Sequence, residues 1–250
     1  MKNINESSPL KRLLLASALA CLFACEAAAQ TTPPPPAPAP AQTPAQATHV
    51  VVDDLREETQ KSLPDSDRMT LVWWIPEEFW QATLADDPTT SKAQVEEFLK
   101  TVRPYVMFAV VDGKMGAFGG ITYKPEEVIR STIQVVDMQG TTHRPLPENK
   151  IDPDTRNLLA VMKPVLSNMM GKMGENMHFV VFSARDAAGR RLADPTKEGT
   201  FSLKLGSDVY KWRLPLGSLL PPKVCPVDGE VMNGAWKFCH WHGDKLVTKP

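Results

Sequence analysis

The 250-residue chain carries 28 Lys+Arg against 29 Asp+Glu, a formal net charge of −1, with 42% hydrophobic residues and 23 prolines. With no basic run longer than Arg190-Arg191, the counterion release that drives nucleic-acid binding has little to act on, which excludes nucleic acid as a partner. Of the four cysteines only Cys225 and Cys239 lie beyond the leading segment, so a disulfide-rich scaffold is excluded as well.

The chain opens with Lys11 and Arg12, the apolar run Leu13 to Ala24 and the small residues Ala27, Ala28 and Ala29, the pattern of a secretory signal peptide over residues 1–29. The run is too short to span a bilayer, which needs about 20 apolar residues. Leu22-Phe23-Ala24-Cys25 also resembles a bacterial lipobox, in which Cys25 becomes the lipidated first residue. Residues 30–48 form a Pro-rich linker; the stretch Thr31 to Ala47 holds seven prolines and reaches on the order of 50 Å at roughly 3.1 Å per residue. Such a spacer suits a chain fixed to a membrane by one end, through a lipid anchor and no other membrane contact. Ordinary cleavage near Ala29, leaving a free mature N-terminus, is the competing route. Either way the expected location is outside the cytoplasm, in the periplasm or anchored at the cell envelope.

Residues 49–220 are long enough for one domain that stands on its own core. Met69 to Ile75 reads as a strand, and Pro76-Glu77-Glu78 as the first turn of a helix to about Ala85. Ser91 with Gln94 matches a capping box opening a helix that must stop before Pro104. Tyr105 to Val111 is a buried strand ending in a turn at Asp112-Gly113. Ile121 to Tyr123, a helix from Pro125 to Ile129 and a strand near Thr132 to Val136 follow. Asp152 is the N-cap, with Pro153 at the first helical position, of the longest helix, which Pro164 bends. Met177 to Ser183 is a strand, and Phe201 to Leu205 with Val209 to Leu214 form a hairpin across Gly206-Ser207-Asp208. This order predicts an α+β fold, with a mixed or antiparallel sheet and helices on one side.

Met162, Met169, Met170, Met173 and Met177, next to His178, are soft ligands of the type that takes Cu(I), but with Leu166 they also make the apolar stripe of an amphipathic helix. Core packing is the expected role. Gly116, Gly119 and Gly120 fit neither a dinucleotide loop nor a P-loop and read as a turn. Glu77-Glu78, Glu96-Glu97 and Glu126-Glu127 read as solvated helix starts, and Trp73, Trp74 and Trp80 as core. His143 has no nucleophile signature beside it.

The tail, residues 221–250, reads C-P-V-D-G and then F-C-H-W-H-G. Asn233-Gly234 predicts a type I′ hairpin pairing Met232 with Ala235, Val231 with Trp236 and Glu230 with Lys237, with Trp236, Phe238 and Val231 laid on the main domain. That register gathers Cys225, Asp228, Cys239 and His242 at the open end, with His240 in reserve. The pattern resembles the C-terminal zinc ribbons of many bacterial proteins, with Asp228 and His242 standing where the second and fourth cysteines would be. Gly229 and Gly243 take the tight positions after them. The resemblance implies a structural zinc held by Cys225, Asp228, Cys239 and His242, since zinc accepts carboxylate and imidazole as well as thiolate. A Cys225–Cys239 disulfide and a ribbon that has lost its metal are the alternatives.

The expected function is a non-enzymatic cell-envelope protein that binds a protein partner or small ligand through its α+β domain, its tail clamped by metal or disulfide. A periplasmic copper- or zinc-handling protein is the alternative. A hydrolase would require a pocket uniting His143 or His178 with a carboxylate.

Overall fold

A computed structural model of the chain describes residues 50–63, 67–85, 87 and 89–248. The signal peptide, Cys25 and the Pro-rich linker lie outside the described residues. Among those described, no helix is long and apolar enough to cross a membrane.

The fold is α+β and its sheets are antiparallel throughout. Helix α1 (Val52–Thr59) leads into β1 (Gln60–Lys61) and β2 (Arg68–Ile75). Helices α2 (Glu77–Ala85) and α3 (Lys92–Val102) follow, then β3 (Tyr105–Met115) and β4 (Ile121–Tyr123). The capping box at Ser91 forms as expected, with Gln94 N donating to Ser91 Oγ and Ser91 N to the Gln94 side chain. Next come α4 (Glu126–Thr132), β5 (Ile133–Val136), β6 (Thr142–His143), the long α5 (Pro153–Met170) and the short α6 (Lys172–Glu175). Strands β7 (His178–Ser183), β8 (Gly199–Leu205) and β9 (Asp208–Leu214) complete the body.

β3 is the hub of the first sheet, pairing with β2 on one side and with both β7 and β4 on the other. β6, β5, β8 and β9 make the second sheet. The two sheets meet through rings: Trp74 and Phe108, opposite one another on β2 and β3, both contact Phe201 of β8 and Trp212 of β9. Trp73 points to the opposite face, where its ring meets Phe79 of α2 edge-on at 5.0 Å. A sheet covered on both faces needs a strand without alternation, which is why Val106 through Asp112 are all buried.

Two local expectations fail. β3 does not turn at Asp112-Gly113 but runs through to Met115, because the buried Asp112 carboxylate is met by Arg68 at 3.1 Å and Lys124 at 2.6 Å. The reversal comes instead at Gly116 to Gly120, where Gly119 has φ +84°. Glu78 is not a solvated helix start: its side chain is 18% exposed and one of its oxygens lacks a partner. Of the methionine stripe, Met162 and Met177 are core, while Met169 is 76% exposed.

Candidate metal centre

The tail has its own small core, Cys225, Met232, Cys239 and Leu246, separate from that of the body. Strand β10 (Lys223–Val224) pairs with β11 (Val231–Met232) and with β12 (Val247–Thr248). The Asn233-Gly234 hairpin does not form. Met232 pairs with Lys223 rather than Ala235, and Val231 with Val224 rather than Trp236. The dipeptide is used for docking instead. Asn233 Nδ2 donates to Glu58 on α1, and a Cβ at Gly234 would lie 2.6 Å from the Pro221 carbonyl. Trp236, Phe238 and Val231 accordingly do not cover the body but are 45%, 59% and 55% exposed.

The chain reverses at the cysteines themselves, and the two reversals are built alike. Cys225 N donates to the Glu230 carbonyl and Gly229 N to that of Cys225; Cys239 N donates to Asp244 and Gly243 N to Cys239. Gly229 and Gly243 both have φ +75°, the left-handed conformation that glycine adopts at little cost. In the second turn the His242 amide also donates to Cys239 Sγ at 3.5 Å.

These turns face one another. Cys225 Sγ lies 3.4 Å and Cys239 Sγ 3.6 Å from His242 Nδ1, and the three donor atoms all fall within 4.8 Å of each other, close enough to bind a metal ion. Asp228 Oδ2 stands 3.7 Å from the same nitrogen, while its Oδ1 accepts from Glu230 N. The structure therefore brings Cys225, Cys239 and His242 together as the sequence predicts, by a different route, while Asp228 stands outside that close group. Both thiols are free. Burial tends to raise the Cys239 thiol, but the amides of His242 and Trp241 outweigh it and bring the thiol down. The Cys239 sulfur, followed by the Asp228 charge, holds the His242 imidazole up. Cys225, Cys239 and His242 offer soft sulfur and borderline nitrogen to one centre. His240 turns away and packs its ring against Trp236 and Trp241.

His143 and His178 sit apart. His143 Nε2 lies 2.6 Å from Asp137 Oδ2, whose other oxygen accepts from the Gln139 and Thr141 amides, so this pair closes a turn. The pocket required of a hydrolase, uniting His178 with a carboxylate, is present: His178 and Glu126 share a cavity of about 520 Å³ between α4, α5 and β7, whose lining includes no serine, threonine or cysteine. A second concavity of about 580 Å³ is rimmed by Arg103 and Arg191, each already paired with carboxylates.

Compared with known proteins, the chain matches no family model, no curated protein and no solved structure.

Proposed function

We propose that the tail is a zinc ribbon whose single zinc is held by Cys225, Cys239, His242 and Asp228. The observation that carries this reading is the spacing of the donors. Zinc bonds of about 2.3 Å to sulfur and about 2.0–2.1 Å to nitrogen put sulfur and nitrogen about 3.6 Å apart in a tetrahedral site. The observed separations are 3.4 and 3.6 Å. With Asp228 as fourth ligand no coordination position is left for a substrate, so the role is structural, holding together a segment with only four buried apolar or sulfur side chains. The body above it is the part that would bind a partner or ligand, in a non-enzymatic protein exported through its leading segment to the periplasm or envelope.

Metal analysis of the purified full chain should give one zinc per chain, lost in Cys225→Ser and Cys239→Ser and weakened in Asp228→Ala. Protein without metal and with both thiols titratable would overturn the reading, and a mass lower by two hydrogen atoms would point to the disulfide. Intact mass from the native host separates acylation at Cys25 from cleavage near Ala29.

One observation favours the metal-handling alternative. The side chains of His242 and Asp228 are 35% and 39% exposed, so one side of the cluster is open to an incoming chelator. Release of zinc to a competing chelator within seconds, rather than over hours, would select transfer over structure.

A further inference from the structure

His178 is nine-tenths buried, and its Nδ1 has no hydrogen-bond partner. The Glu126 carboxylate stands 3.6 Å away, beyond hydrogen-bond length. The neutral tautomer that carries its proton on Nε2 presents Nδ1 to the cavity as an unpaired acceptor. Burial, and after it the charge of Lys163, keeps the ring neutral by pulling its pKa down. Two acceptors thus converge at one end of the cavity with no donor between them. His178 Nδ1, buried and unsatisfied, costs free energy until a donor arrives, whereas Glu126 is 47% exposed and stands 3.9 Å from Arg130.

The rest of the cavity supplies the opposite chemistry. Arg156 and Lys163, seven residues apart on the same face of α5, line it without an ion pair or hydrogen bond among the described residues. Met177 and Phe179 lend it apolar surface. Three carboxylates (Glu126, Glu127 and Glu148) balance three cations (Arg130, Arg156 and Lys163) around it. A simple anion or a simple cation would gain from one set and be repelled by the other.

We propose that this cavity binds a small zwitterion, an amino acid or dipeptide with an apolar side chain, its ammonium between His178 Nδ1 and Glu126 and its carboxylate on Lys163 and Arg156. The ammonium supplies the missing donor, the carboxylate pairs the two free cations, and the side chain lies on Met177 and Phe179. The inference rests on the reading of the body as a binding domain and is independent of the metal in the tail.

The test is calorimetric titration of the full chain with L-leucine and glycyl-L-leucine, against 3-methylbutylamine and 4-methylpentanoate, which each keep one charge. Saturable binding of a zwitterion, at least about tenfold tighter than either single-charge analogue, is the expected result, with Glu126→Gln and Lys163→Met each weakening it about tenfold or more. Circular dichroism checks that both variants fold. Binding that survives both substitutions overturns this site while leaving the body a binding domain. No binding of either zwitterion, or equal binding of 4-methylpentanoate, overturns the ligand class.

Discussion

Gly229 and Gly243 both place the backbone where an L side chain is strained by about 1–2 kcal/mol. Nothing lies within 4 Å of a Cβ built at either position, so substitution tests backbone conformation alone. Gly229→Ala and Gly243→Ala should each weaken zinc binding at the proposed site about tenfold, read by competition with a chromophoric chelator, without shifting the melting of the body. Asp112 is a different case, because its 1% exposed carboxylate is enclosed by Arg68 and Lys124. Asp112→Ala should destabilise the body by about 3 kcal/mol or more in urea, since Arg68 loses half of its pairing inside the sheet.

At the level of elements, α1 is the joint between body and tail. Glu58 accepts from the Gly217 and Ser218 amides, the Ser218 hydroxyl and the Asn233 side chain. The next residue serves the other side: Thr59 accepts from both Trp73 and Trp212. Glu58→Ala orphans two backbone donors and should cost about 2 kcal/mol or more, seen as faster hydrogen exchange at Gly217, Ser218 and Asn233. The elements that the sequence reveals are those whose signals are local: the Ser91 box, the Asp152 cap and the 199–214 hairpin depend on neighbours a few residues away. Asn233-Gly234 misleads because its strongest requirement is distant. Close approach to Leu220 and Pro221, and a bond to Glu58, decide its conformation, and none of these shows in a short window. The ligand cluster was legible all the same, because the Cys-x-x-Asp-Gly and Cys-x-x-His-Gly spacing encodes the turn itself. The His178 cavity was not, since its walls come from α4, α5 and β7, elements far apart in the chain.

For the molecule as a whole, pH response follows from buried carboxylates. Burial would raise Asp137, but His143 and the Thr141 and Gln139 amides hold it below the ordinary range, and Thr196 does the same for Asp194. Both contributions are complete above about pH 4, the unfolded value, and are lost as the pH falls through the lower folded one. The urea midpoint should therefore drop on acidification below about pH 4, and Asp137→Asn should flatten that limb. Glu78 runs the other way: burial raises its carboxyl. Its contribution is present below the unfolded value and declines as the pH rises through the raised folded one. Glu78→Gln should therefore raise the melting temperature at pH 7, with the gain shrinking toward pH 4.

Because Glu58 and Thr59 are adjacent, tension on the leading end of the chain is borne by eight residues of helix before any strand is loaded. Stretched from that end in an optical trap, the molecule should yield first by peeling α1, and that one rupture should cast residues 221–248 loose while both large sheets still carry force.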